Sequence, residues 1–278
     1  METGKKYDAD YVLGHSAQEL ERLSTQARLY EPFTVQFFRN AGIQAGMRVL
    51  DVGCGSGDVS FLVARMVGPT GQVIGVDRAP AAVATASGRS LDLQLPNTRF
   101  LRGDPSEITF EEPFDAVVGR MVLMFCRNPA DTLSKVAAHV RPGGIVAFQE
   151  VDFTGCRSLP LLPTFNRSVR WIAESLERSG SDPYLGLKLH ATFKTAGLPP
   201  PALYVHAGIG AGQHHPLYSV VADLVRTLLP ALEELAIATA NEIDVDTLAD
   251  RLSNEAVAES GTAVGPSLVG ASARKAVE

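Results

Sequence analysis

At 278 residues, with 45% hydrophobic and 20% charged residues, the chain has the size and make-up of a globular protein with a large core, not of a disordered or fibrous one. Its 25 basic and 31 acidic residues leave a net charge of −6 with no basic stripe, which argues against a nucleic-acid partner. Three cysteines, Cys54, Cys126 and Cys156, lack CxxC spacing, so neither a disulfide framework nor a metal site is expected, and free thiols in a reducing cytoplasm are. The polar stretch 1–10 does not read as a signal peptide, and no apolar run reaches the roughly 18 residues of a membrane span.

The first residues read as helical. Ser16 and Glu19 form a capping box, and Leu20, Leu23, Ala27 and Tyr30 follow at helical spacing. Pro32 is placed to open a second helix that carries Phe33, Phe37 and Phe38. From residue 48 the pattern becomes strand and helix in alternation. Strands are expected at 48–52, 72–77, 99–103, 114–119 and 145–150, and helices at 59–67, 80–89 and 130–140. Continuous apolar strands separated by helices indicate a parallel sheet covered on both faces. Farther on, 163–178 and 185–196 read as helices and 202–207 as a sixth strand. A helix over 217–240, broken at Pro230, and another over 245–260 come next, then a last strand at 267–273 and a loose polar tail from Ala271.

The chemistry concentrates in Val49-Leu-Asp-Val-Gly-Cys-Gly-Ser-Gly-Asp58, at a strand-to-helix junction where α/β sheets bind nucleotides. Gly53, Gly55 and Gly57 let the backbone turn tightly and approach a ligand. A nicotinamide dinucleotide is the rival ligand. Its fingerprint calls for a small residue where this chain has Asp58, and a carboxylate beside a pyrophosphate would repel it. A ligand with a sulfonium and an ammonium tolerates the acid, which favours S-adenosylmethionine. Asp77 closes the next strand, where a carboxylate can accept from both ribose hydroxyls; its bland alternative is a helix N-cap. Asp104, in Gly103-Asp104-Pro105, is placed to accept from the adenine amine, although alone it would be an ordinary turn.

These motifs, in this order, resemble the seven-stranded class I S-adenosylmethionine-dependent methyltransferases, close to the ubiquinone/menaquinone-type and type 11 methyltransferase-domain families. The resemblance covers roughly residues 45–155. VLDVGCGSGD matches the glycine loop with Asp51 as its acidic strand residue, VIGVD the ribose acid, GDP the adenine acid and RPGGIVAFQE the fifth strand. It implies an α/β, Rossmann-like, mostly parallel sheet of order 3-2-1-4-5-7-6 with helices on both faces. It also implies S-adenosylmethionine as cofactor, with S-adenosylhomocysteine as product.

Three segments follow: an N-terminal helical arm (1–44), a cofactor-binding core (45–155) and a C-terminal part (156–278) with a helical lid over about 217–260. Asp51, Gly53, Gly55, Gly57, Asp77, Arg78, Asp104, Pro105 and Arg120 are the expected cofactor residues. Tyr11, Tyr30, Phe153, His190 and His206 are expected at the substrate. Glu150 and His214 are the leading candidate acid–base groups, and His190, His206 and His215 are further candidate bases. The expected acceptor is a small molecule, a secondary metabolite or quinone-like compound. The sequence leaves room for a homodimer, and for a second reading in which the cofactor site serves a non-methylating regulator or cyclase. A nicotinamide oxidoreductase is weaker still.

Overall fold

The structure, a computed structural model, describes residues 30–277. Tyr11 and the capping box at 16–19 lie outside the described residues. Helix α1 covers 30–41, so Pro32 sits within its first described turn rather than opening it. Its inward face, Tyr30, Thr34, Phe37 and Phe38, recurs at helical spacing and is buried.

The expected alternation follows: β1 (Arg48–Val52), α2 (Asp58–Val67), β2 (Gln72–Asp77), α3 (Pro80–Asp92), β3 (Thr98–Arg102), β4 (Phe114–Arg120), a 3-10 turn (Leu123–Phe125), α4 (Pro129–Ala138) and β5 (Val140–Asp152). The C-terminal part adds β6 (Arg157–Leu159), α5 (Pro163–Arg178), α6 (Leu185–Thr195), β7 (Ala202–Ala211), α7 (Pro216–Glu234), the short α8 (Ala240–Ile243), α9 (Leu248–Ala258) and β8 (Thr262–Arg274). Strands β3-β2-β1-β4-β5 pair in parallel, β8 runs antiparallel beside β5, and β7 forms the far edge on β8.

The sheet has eight strands where seven are expected, and the extra one has a local cause. Both β5 and β6 pair with the same side of β8. Asp152 pairs with Ser267 and Arg157 with Val264, so residues 153–156 stand opposite 265–266 and the edge breaks there. The buried Asp152 carboxylate holds the break: it accepts from Thr154 N at 3.0 Å and Leu187 N at 3.3 Å. With β5 and β6 counted as one broken strand, the order is the expected one.

Two other expectations are corrected. The tail is not loose from Ala271: β8 continues to Arg274 between two partners, and Ala271 is fully buried. Helix α7 runs through Pro230 unbroken, because packing of its buried face outweighs one missing N–H.

The sheet faces bury two apolar clusters. On one, α1 and α2 cover Val49, Val73, Val118 and Ala147 through Phe37, Phe38, Leu62 and Val63. On the other, α4, α6 and the α5–α7–α9 group cover Leu50, Val76, Val117 and Phe148. Side chains alternate between the two clusters along each strand, as the pleat requires. Phe38 ties α1 to the first cluster. Truncating it (Phe38→Ala) is expected to lower unfolding free energy by about 3–5 kcal/mol in urea titrations; a change below about 1 kcal/mol would mean that α1 is not integral to the core.

Candidate functional site

The site forms where β1, β4, β5 and β7 point their carboxyl ends to one edge of the sheet. After Val52 the chain leaves β1 through three left-handed glycines, with φ of +63° at Gly53, +52° at Gly55 and +93° at Gly57. Two of them are also forced by close approach. A Cβ on Gly53 would lie 2.7 Å from the Val122 side chain, and one on Gly57 would lie 2.6 Å from the Phe61 ring. Gly55 is different, since no atom lies within 4 Å of its Cβ position and it borders open cavity.

The loop is held from neighbouring elements. Gly55 N donates to Asp77 Oδ2 at 2.8 Å, while Ala79 N donates to Asp77 Oδ1 at 2.9 Å. Arg89, from α3, donates to Ser56 O and to Asp58 Oδ1, both at 2.8 Å. Asp104 accepts from Ser106 N and Oγ and pairs with Arg78 at 2.5 Å. Burial opposes the Asp104 charge, yet the Ser106 and Arg78 contacts outweigh it and hold its pKa below the usual carboxylate value. Asp77, Arg78, Asp104 and Pro105 sit at and just beyond the ends of β2 and β3, outside the cavity that the glycine loop lines.

That cavity holds about 550 Å³. Its polar end is Gly53 to Ser56, Asp58, Tyr30 and Arg120. Arg120 donates to Thr34 Oγ1 at 3.2 Å. Burial pulls its pKa down, and Asp58 and Asp51 pull it back up. Asp51 lies beneath the loop, buried, accepting from Ser60 Oγ at 2.5 Å; burial raises its pKa to about 7. Beyond Arg120 the wall turns apolar: Met124 and Phe125 of the 3-10 turn, Phe153 in the break after β5, Ile172 and Leu176 of α5, and Val221 and Leu224 of α7. Met121, between the two ends, is held left-handed at φ +56° by its N–H to Gln149 O at 2.7 Å.

The structure thus brings together Gly53, Gly55, Tyr30, Arg120, Phe153 and His206 in one wall. Of the described residues expected at the substrate or in acid–base roles, it leaves three out. His190 is exposed on α6, and His214 is exposed, its backbone N–H donating to Ser253 Oγ at 3.0 Å; its neighbour His215 faces the cavity instead. Glu150 is fully buried beneath the 3-10 turn, accepting from Leu123 N at 2.8 Å, Val122 N at 3.1 Å and Met124 N at 3.3 Å. A carboxylate spent on three backbone donors and shut off from the cavity is a helix-turn cap, not an acid–base group. Sequence reasoning did not single out Ile172, Leu176 or the 3-10 turn. The apolar stripe Phe165, Val169, Ile172, Leu176 was readable at helical spacing, but not which surface it would face.

Burial raises the Glu150 pKa from 4.5 to about 7, against the pull of the three N–H groups. The folded state then holds its proton where the unfolded chain has lost it, so Glu150 lowers stability as pH rises from about 4.5 to about 7. Glu150→Gln mimics the protonated acid. Its stability relative to wild type is expected to improve between pH 5 and pH 8 in urea titrations, by about 1–3 kcal/mol. A pH-independent difference would remove the raised pKa.

Comparisons with known proteins agree with this arrangement. Residues 43–180 match a family model described as a methyltransferase domain. Over 210 residues the chain is 27% identical to the ubiquinone/menaquinone biosynthesis C-methyltransferase of Ectopseudomonas mendocina, a match covering 73% of this chain and 79% of that one. It is 30% identical over 130 residues to the demethylmenaquinone methyltransferase of Staphylococcus aureus, covering 46% of this chain and 51%, about half, of that protein. Among solved structures, a putative methyltransferase from Bacillus halodurans superposes with a TM-score of 0.60 at 14% identity, covering 88% of this chain and 99% of that one, which speaks to the fold alone. With this match over its glycine loop and central strands, the chain belongs to the S-adenosylmethionine-dependent methyltransferases.

Proposed function

We propose that the enzyme methylates an apolar, aromatic, quinone-like small molecule held in the chamber beyond Arg120. The observation that carries this reading is the continuity of one cavity, with a polar, glycine-lined end and an apolar end walled by Phe125, Phe153, Ile172, Leu176, Val221 and Leu224. The names of the two bacterial relatives, both methyltransferases of isoprenoid-quinone biosynthesis, support an acceptor of that class.

The residues present fit the cofactor. Gly55 leaves open the volume a side chain would fill. A carboxylate has roughly four acceptor positions, and Asp77 has used two on backbone N–H groups, which leaves room for a ribose diol. We assign Gly53, Gly55 and Gly57 to backbone approach, Asp77 to the ribose, Asp104 and Pro105 with Arg78 to the adenine end, and Arg120 above the buried Asp51 to the methionine end. When bound, S-adenosylmethionine supplies an electrophilic methyl group on a sulfonium. The chain's own work is then to align the acceptor and keep water out, which the aromatic and aliphatic wall does. The acceptor lid of this reading is the helical stretch over about 217–260, whose α7 lines the cavity together with α5, and α1 lines it through Tyr30 and Phe33. We place the enzyme in the cytoplasm; among the described residues no helix is long and apolar enough to cross a membrane. A homodimer is compatible with this reading.

Calorimetric titration with S-adenosylhomocysteine tests the cofactor assignment. Wild type is expected to bind, and Asp77→Ala to bind on the order of 100-fold more weakly, since it loses both diol contacts and the anchor of Gly55. Folded wild type that does not bind would sink the assignment. Leu176→Trp fills the apolar end without touching the glycine loop. It is expected to keep S-adenosylhomocysteine affinity while labelled methyl transfer to a reduced 1,4-naphthoquinone falls about tenfold or more; equal transfer would place the acceptor elsewhere.

A further inference from the structure

The C-terminal wall of the cavity is apolar apart from two imidazoles, His206 and His215. His206 is stacked against Phe33 of α1, and burial lowers its pKa. His215 has a more defined state. It is the N-cap of α7, and its Nδ1 accepts the N–H of Leu217 at 3.2 Å. Gly210 presses on the same edge of the ring, since a Cβ there would lie 3.0 Å from Nδ1. Tyr218 contributes a ring edge with centroids 6.1 Å apart. A neutral imidazole whose Nδ1 accepts must carry its proton on Nε2. Nε2 has no hydrogen-bond partner among the described residues, and the ring borders the cavity.

We propose that the Nε2–H of His215 is the hydrogen-bond donor that grips an oxygen of the methyl acceptor, so the chamber selects apolar ring compounds bearing a carbonyl or hydroxyl oxygen. This rests on reading the chamber as the acceptor site. The capped tautomer makes His215 an orienting donor and not a base, because its one free lone pair is spent on Leu217 and its other nitrogen already holds a proton. The donor shares its cavity with Leu217, Val220, Val221 and Pro266, and beside apolar side chains of this kind water competes poorly for such a bond. The apolar wall binds the ring system, and the His215 donor sets which way round it lies.

The test separates the donor from the cap. Serine at a helix N-cap accepts the same N–H but reaches nothing across the cavity, so His215→Ser keeps the cap and removes the donor. Affinities of 1-naphthol and naphthalene are measured in protein saturated with S-adenosylhomocysteine, using the fluorescence of Trp171 on α5. The ratio of naphthol to naphthalene affinity is expected to fall about fivefold to tenfold in H215S, with naphthalene and S-adenosylhomocysteine affinities unchanged. An unchanged ratio overturns the proposal while leaving the chamber intact. Failure of wild type to bind either compound, with S-adenosylhomocysteine still bound, overturns the chamber reading and this proposal with it. If H215S fails to bind S-adenosylhomocysteine, His215→Thr, the other small cap, gives the same comparison.

Discussion

The fold turns on how the chain leaves β1. A parallel strand that ends at the sheet edge must reverse into a helix within a few residues, and here it does so through three left-handed glycines. Such a loop has little packing of its own, so its shape comes from neighbours. Asp77 reaches across from β2 to hold Gly55, and Arg89 reaches from α3 to hold Ser56 and Asp58. Val122 and Phe61 occupy the volumes that side chains at 53 and 57 would need. The loop is therefore set by β2, α3 and the segment after β4 together, and at Gly55, where a Cβ would meet nothing, it stands open to the cavity.

A second constraint sits under β4. The chain must turn sharply after Arg120 to free Met121 and the 3-10 turn for the cavity wall, and a turn buried this deeply leaves backbone donors without water. Glu150 answers all three at once, at the cost of burying a carboxyl group. A buried acid at the end of β5 looks catalytic in sequence because the same position in an open sheet often meets substrate. Its role is decided by which side of the turn it enters from. Glu150 enters from the core side, and the adjacent Asp152 likewise spends its carboxylate on the break that carries Phe153 into the wall.

Much of this was legible in the chain, and what was not has a common physical reason. The alternation of apolar runs and helices gave the parallel core, because strands covered on both faces must be apolar throughout. The glycine loop and the acids at 77 and 104 were legible because few backbones need those residues at those offsets. The β5–β6 break was not, since it depends on where β8 runs out of register far along the chain. The helices at 163–178 and 217–240 were readable as helices, but their apolar faces could equally have met the sheet. That Ile172, Leu176, Val221 and Leu224 meet across a cavity follows from how α5 and α7 lean together, a long-range outcome no local period encodes. His214 and His215 show the limit at single-residue scale. Adjacent histidines before a proline are equivalent in sequence, yet His214, left-handed at φ +56°, is exposed while His215 borders the cavity.

The charge layout of the cavity gives the arrangement its chemical sense. The ionisable groups Asp58, Asp51 and Arg120 gather at one end, where a zwitterionic, cationic ligand has charges to be matched. Burial weakens the ionisation of both Asp51 and Arg120 while each favours the charge of the other, so the pair is poised to respond to what lies beside it. The other end carries almost none of this. In a methyl transfer the sulfonium gives up its positive charge to the acceptor, which then releases it as a proton, so charge is moved and not created, and an apolar surrounding opposes this less than it would a step that creates charge. A wall of aliphatic and aromatic side chains then binds the acceptor by area and leaves its orientation to the few polar groups it contains. If the acceptor lies in this chamber, its identity is written less in catalytic residues than in where the few imidazole donors of the wall stand.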